Sequence, residues 1–558
     1  MPFGCIYIIC QSLNIIVILY RSNLCCMLNK RLLFYFFIFA IIVVSCAKRG
    51  SITGGEKDIT PPKMTGSSPE NFSTGFTGKM IKITFDEYVK LKGINKQLIV
   101  SPPMKKMPNI TPQGTANRQV TIQIYDTLQP NTTYSFNFGE SIEDNNEGNK
   151  FQQFKYVFST GSYIDSLSLK GRIKDAYNKE PDNYVTVMLY EVNDSYTDSI
   201  VYKENPRYIT NTLDSMKTFS LDNLKEGKYL LVALKDKNNN YKFDPKQDKI
   251  GFHNEFITVP NDTVYEIELF KEILPFKALR PTQASGNKLL MGYEGSSKNL
   301  KAEVRDGSRL LHSIITQYPE KDSVYIWYPP IKADSLNVIL KTALTKNEFS
   351  VKIKNQKNDT LSLSSDTKEM NFRNNLALRS SVPLRKFDKS LMQLIKKDST
   401  QVPFTTVYDS LDMRMEFVFE KEEMEKYSIT LLPGAVTDYM GSVNDTLKMS
   451  GSTRTFATYG NLKLTLLNVK SYPVIVELTN AKGEVQASAY SEKENIINFF
   501  NINPALYTVR VIYDENKNRI WDTGNFLEKR QTEQVIYYPK EIDVRANWDV
   551  DQVFNLAP

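Results

Sequence analysis

Apolar and polar residues alternate with period two in short runs along most of this chain, and Pro, Gly, Asn or Asp closes most of them. That period belongs to strands with one face on a core. Runs at 79–85, 97–101, 119–125, 133–138 and 154–159 fall within about 100 residues, which predicts a β-sandwich over 64–162. A second unit is expected at 163–272. There Val185, Val187 and Leu189 alternate on one strand, and Tyr229, Leu231 and Ala233 on another. A third β-rich unit, of no assigned type, covers 273–372 with strands at 324–328 and 336–340. Pro329 and Pro330 end the first of these, because proline cannot continue a hydrogen-bonded ladder.

The pattern repeats. Phe219, Leu224, Tyr229, Leu231, Ala233, Asp236, Asn238, Asn240 and Asp244 return at identical spacing as Ile497, Ile502, Tyr507, Val509, Val511, Asp514, Asn516, Asn518 and Asp522. The unit before each copy is repeated too. Tyr134 to Gly148 has the same length as Tyr427 to Gly441, and the blocks end Phe158-Ser159-Thr160 and Phe456-Ala457-Thr458. Identical spacing implies one supersecondary unit used twice. The expected order is A–B–C–A′–B′, with the second copies at 373–460 and 461–558. The fold class is therefore all-β, a tandem array of sandwiches.

The A blocks resemble bacterial Ig-like domains of the SbsA type, on Ile83-Thr84-Phe85-Asp86 and the closing Phe158-Ser159-Thr160-Gly161. The B blocks resemble transthyretin-like or carboxypeptidase-regulatory-like sandwiches. The stretch from Cys46 to Pro62, with Gly54-Gly55 and Thr60-Pro61-Pro62, is similar to Ig-like lipoproteins of the Bacteroidota. The resemblance implies spacer or binding modules at the outer membrane rather than an activity.

Cysteine changes the picture at the N-terminus. All five cysteines lie at or before Cys46, and the 512 residues that follow have none. Lys30 and Arg31 precede an apolar, charge-free run at 32–44, the layout of a secretory signal peptide. Val43-Val44-Ser45-Cys46 then resembles a bacterial lipobox, which implies cleavage before Cys46 and acylation of its sulfur, with diacylglycerol and palmitate-type chains. The signal segment is 1–45, with Met27 as the natural start, and 46–63 is a polar, Gly- and Pro-bearing tether. A run of 13 apolar residues is short for a membrane span, so an uncleaved helical anchor is the competing reading.

The formal net charge is +7; Arg21, Lys30 and Arg31 supply three of these and no acid precedes Cys46, leaving +4 after it. No Lys/Arg cluster stands out, so nucleic acid is not expected as a partner. Absent thiols suit an exported chain without disulfides.

Candidate chemistry is sparse. Asp236, Asn238, Asn240 and Asp244, and again Asp514, Asn516, Asn518 and Asp522, place oxygens at alternate positions as the start of a calcium loop does. Position 6 is Tyr241 or Arg519 instead of glycine, position 12 is Gln247 or Asn525 instead of glutamate, and Lys237, Lys242 and Lys517 add positive charge. The same residues also make hairpin turns held by Asx side chains. Calcium is thus the one cofactor in question. Asp-Ser or Asp-Thr before an apolar residue recurs, as at Asp165-Ser166-Leu167 and Asp334-Ser335-Leu336. It resembles the O-glycosylation acceptor pattern of Bacteroidota and equally a polar turn entering a strand. There are two histidines, His253 and His312, no G-x-S-x-G, no H-E-x-x-H and no mature cysteine. A non-enzymatic structural or binding module follows, with the outer membrane as anchor site and a protein or glycan as ligand. The alternatives are a surface glycan-binding protein, with an aromatic platform at Trp327 or Trp521, and a hydrolase in 273–372 whose paired carboxylates follow no local spacing rule.

Overall fold

The computed structural model describes residues 58–212, 217–319, 321–367 and 370–557. The signal segment, Cys46 and the tether up to residue 57 lie outside the described residues. Asp58 to Thr60 form a short segment in which the Thr60 N–H donates to Asp58 Oδ1. From Pro61 on, the regular structure is almost entirely strand, arranged as tandem β-sandwiches.

In the first sandwich the strand Met80–Leu91 alternates buried and exposed, turning Ile81, Ile83 and Phe85 inward. It pairs with Met64–Ser68 on one side and Asn117–Gln123 on the other. The facing sheet is Ile99–Ser101, Thr133–Asn137 and Lys155–Ser159. Phe136, Tyr156 and Phe158 fill the space between, and each large buried apolar side chain contributes roughly 1.5–3 kcal/mol.

The strand orders recur in the fourth sandwich. Leu376–Ser380 pairs with Leu363–Ser365 and Arg414–Val418, and the facing sheet is Met392–Ile395, Lys426–Leu431 and Leu447–Ser452. Tyr134 and Tyr427 are equivalent in detail: each hydroxyl accepts the N–H of the residue five back, Gln129 at 2.9 Å and Glu422 at 2.7 Å.

Two boundaries differ from the reading of the sequence. Leu363–Ser365 is already an edge strand of the fourth sandwich, and Leu361 and Leu363 pack on its core, so that unit begins about a dozen residues before 373. The run is too polar to reveal its partner. The repeated end is also shifted. Tyr134 faces Phe158 and Tyr427 faces Gly451, which makes Thr453 the equivalent of Thr160. Thr160 Oγ1 accepts the Thr132 N–H and Thr453 Oγ1 accepts the Glu425 N–H. Phe456-Ala457-Thr458 is a separate 3₁₀ turn.

The second and fifth sandwiches also share one topology. In the second, Thr186–Glu191 and Gly227–Lys235 are central to a five-stranded sheet, and Leu167–Asp175 runs parallel to Val264–Leu269 in the other. In the fifth, Val474–Thr479 pairs with Ala505–Tyr513, and Gly460–Leu467 runs parallel to Asp549–Asn555. Tyr229 and Tyr507 each donate to the carbonyl four residues back, Lys225 at 3.0 Å and Asn503 at 2.6 Å. The third unit is a pair of four- and five-stranded sheets around Leu289, Val304, Ile326 and Val338.

One core belongs to no single unit. The strand Gly227–Lys235 is buried on both faces. Its outer side, with Met188, Leu230, Val232 and Phe252, is covered by Ile99 of the first unit and by Phe526 and Trp521 of the fifth. The chain thus returns on itself across some 250–360 residues. Phe526 is fully buried, and its N–H donates to Glu272 Oε1 at 2.6 Å. Arg510 is 1% exposed; it holds Glu477 at 2.6 Å and the Tyr177 hydroxyl at 2.6 Å, and its guanidinium lies 4.0 Å from the Tyr177 ring centre. A Cβ on Gly524 would sit 2.6 Å from Phe270 Cζ, so the two units touch too closely there for any other residue.

This seam makes a prediction. Arg510→Ala strands a largely buried Glu477 carboxylate, and Phe526→Ala empties a filled site. Each should destabilise the folded chain by about 3–5 kcal/mol. Arg545→Ala, on the exposed ring of Trp548, should cost under about 1 kcal/mol. Urea unfolding followed by tryptophan fluorescence measures all three, and equal midpoints would refute the seam's role.

Candidate functional site

The two Asp/Asn loops are hairpin connections between strands, and their polar side chains fold the loops. Asp236 Oδ1 accepts the Asn238 N–H and Oδ2 the Tyr241 N–H; Asn240 Oδ1 accepts from Lys242 and Asp244 Oδ1 from Lys246. In the second loop Asp514 accepts the N–H groups of Asn518 and Arg519, while the amides of Asn516 and Asn518 donate to Asp522. Tyr241 and Arg519 occupy left-handed backbone, with φ of 58° and 66°. These are the positions where a calcium loop has glycine, so the turn is made at a cost that the Asp clamps offset.

A further carboxylate per loop escaped the sequence reading. Asp248 accepts the N–H groups of Lys237 and Asp244, and Glu533 those of Glu515 and Asp522, so each ties the two ends of its loop together. The second repeat has a longer stretch before its clamp, and Asp has become Glu; equal spacing therefore fails just where the clamp lies. Burial, opposed by the bonds from Tyr241 and Asn238, pushes the Asp236 carboxyl up, with the Asp248 charge adding to it. Burial likewise pushes Glu533 up. Among the described residues no three His, Cys, Asp or Glu side chains converge as a metal shell.

The other candidates are distributed. Trp327 is 1% exposed, and its Nε1–H donates to Thr316 Oγ1 at 2.9 Å. Trp521 donates to the Glu533 carbonyl and packs on Tyr177 at 4.6 Å. Neither ring is a free platform for a sugar, because the core and the seam use both. His253 and His312 stand in different units, against Tyr265 and Tyr439. In the third unit, hydrogen bonds from Lys246 and from Lys341 with Arg305 hold Glu294 and Glu303 below the usual carboxylate range. A glycosidase acid needs the opposite shift. Ser166 is exposed just ahead of the strand Leu167–Asp175, and Ser335 is the exposed first residue of the strand Ser335–Lys341, as polar turns entering strands require.

A concave surface lies at the junction of the first and second units. Direct bonds fix it: the Ile209 N–H donates to Ser101 Oγ at 3.1 Å, Thr133 Oγ1 to Asp165 at 2.7 Å, and Arg207 bridges to Gln129 and Thr132. Two hollows, of about 650 and 1140 Å³, share Met104, Lys105, Asn205 and Lys242 in their walls. The first Asp/Asn loop forms part of the smaller one through Asn239 to Lys242.

With this geometry in place, relatives can be compared. A family model described as a bacterial Ig-like domain matches residues 58–160, the first sandwich. No curated protein matches the chain. Among solved structures, the SGBP-B protein of a Bacteroides ovatus mixed-linkage glucan utilization locus, in complex with a heptasaccharide, is similar at 10% identity over 68% of this chain and 94% of that one, with a TM-score of 0.18. The S-layer protein rSbsC is similar at 12% identity over 87% and 67%, with a TM-score of 0.14. Neither superposes closely enough to bear on what this chain does.

The loops yield a prediction. With only two ring carboxylates each and lysines beside them, melting in EGTA and in millimolar calcium should coincide. Asp236→Ala should cost about 1–3 kcal/mol in both, because it orphans backbone N–H groups. A melting temperature that climbs with calcium in the parent, but not in the variant, would instead assign the loops to a cation.

Proposed function

We propose that the chain is a lipid-anchored, non-enzymatic envelope protein, held at the outer membrane through Cys46, whose sandwiches act as a stiff scaffold. The observation that carries the scaffold part is the seam. Tandem sandwiches joined only by linkers flex against each other, whereas here Phe526, Trp521 and Arg510 of the last unit are built into the face of the second. Neighbouring units are tied as well. Tyr439 of the fourth donates to the His312 carbonyl of the third, and Phe372 stacks on Phe456 at 4.3 Å beside the fourth-to-fifth junction. Such ties fix the positions of the units, which suits presentation at a surface better than turnover of a substrate.

The anchor rests on Val43-Val44-Ser45-Cys46 after a charge-free apolar run. Two or three acyl chains, at about 0.8 kcal/mol per buried methylene, hold a protein stably on a bilayer. Cys46→Ser should abolish incorporation of labelled palmitate and leave an unprocessed precursor. Labelled, membrane-retained Cys46→Ser protein would overturn this and favour an uncleaved helix.

A further inference from the structure

From the smaller hollow between the first and second sandwiches we infer a binding site for an acidic oligosaccharide. Its volume of about 650 Å³ lies within the roughly 300–1,000 Å³ of small-ligand pockets, which favour such interdomain positions. Three lysines line it, Lys96, Lys105 and Lys242, and no carboxylate does. None of the three ammonium groups has an ion-pair partner among the described residues, whereas Lys92 pairs with Glu143 and Lys246 with Glu294. Cations gathered around a concave, acid-free wall focus a positive potential into it. The adjoining hollow does carry acids, Asp126, Glu191 and Glu204, but Asp126 is committed to the backbone N–H groups of Lys105 and Lys106.

The rest of the wall selects the kind of anion. Six side-chain amides face the hollow, Asn205, Asn239 and Asn240 among them. An amide offers both a donor and an acceptor, the pair that vicinal hydroxyls of a sugar need. Apolar contact comes from Ile94, Met104 and Ile209, suited to the C–H face of a pyranose. Tyr241 is the one aromatic ring, too few for the stacked bases of a nucleic acid. The neighbouring strand edge at Tyr208–Asn211 does not offer a peptide its Ile209 N–H, since Ser101 Oγ already accepts it. Charge and hydrogen-bonding capacity therefore converge on a polyhydroxylated carboxylate.

Isothermal titration of the full chain with tetragalacturonate tests this. Saturable binding at low salt is expected, weakening as salt rises, with no heat from neutral maltotetraose. Lys96→Gln combined with Lys242→Gln should weaken it by about a hundredfold, since each charged hydrogen bond lost is worth about tenfold. Asn205→Ala should weaken it while leaving the salt dependence unchanged. Both variants alter exposed or half-exposed side chains, and an unchanged melting temperature certifies their fold; if the double variant melts lower, Lys96→Gln alone is read. No saturable binding at millimolar ligand, undiminished binding by the lysine variant, or equal affinity for tetraglutamate or a short oligonucleotide would each overturn the site.

Discussion

A sheet with two apolar faces must be covered twice, and that requirement organises this molecule. The strand Gly227–Lys235 buries Leu231 and Ala233 inside its own sandwich and Leu230, Val232 and Leu234 outside it. Its own unit covers that outer side only in part, with the one-turn helix Ile200–Lys203, the Phe243 loop and Phe270. Leaving the remainder in water would forfeit the burial free energy of several large side chains. The first unit supplies Ile99, and the fifth unit, far along the chain, supplies Phe526 and Trp521. The path of the intervening third and fourth sandwiches is constrained by the need to deliver them.

The duplicated unit meets the same requirement in a different way. Met188 lies opposite Val232 in the second sandwich, and Glu477 lies opposite Arg510 at the matching register of the fifth. An apolar pair has been exchanged for an ion pair. A buried pair of this kind adds little net stability over well-packed apolar residues, but its hydrogen bonds are directional. Arg510 uses them on Tyr177 and Tyr537. The apolar face accepts a partner; the charged face fixes the angle at which it sits.

Much of the architecture was legible. Period-two alternation located the sandwiches, and the exact recurrence of Tyr229 to Asp244 as Tyr507 to Asp522 located the duplication. Alternation reports one buried face, however, and it was read that way. Leu230, Val232 and Leu234 fill the gaps between the alternating residues, and that continuous run marks a strand covered on both sides. Arg510, flanked by Val509 and Val511, was the corresponding mark in the second copy. Whether Trp327 and Trp521 form a platform was left open, because sequence cannot say which side of a strand is solvated; both pack instead. The hollow between the first two units was illegible for a plainer reason: Lys96 comes from a one-turn helix and Lys105, Asn205 and Lys242 from three separate loops, brought together by bonds such as Ser101–Ile209 and Thr133–Asp165.

The duplication and the seam also explain why the two halves differ. The seam is heterologous: the second unit offers an apolar sheet face, and the fifth offers a loop and a charged face in return. Between separate copies, such a contact would not close and would propagate as a fibre. Within one chain it closes, because the connecting units hold the two surfaces at high effective concentration. Closure consumes the loop region of the fifth unit, where Phe526 is buried and Trp521 half-buried at the joint. The equivalent loop of the second unit is left to border the lysine-lined hollow through Asn239, Asn240 and Lys242. One motif, copied once, therefore ends as a joint in the second copy and as the wall of an open cavity in the first, and the asymmetry follows from having only one seam to make.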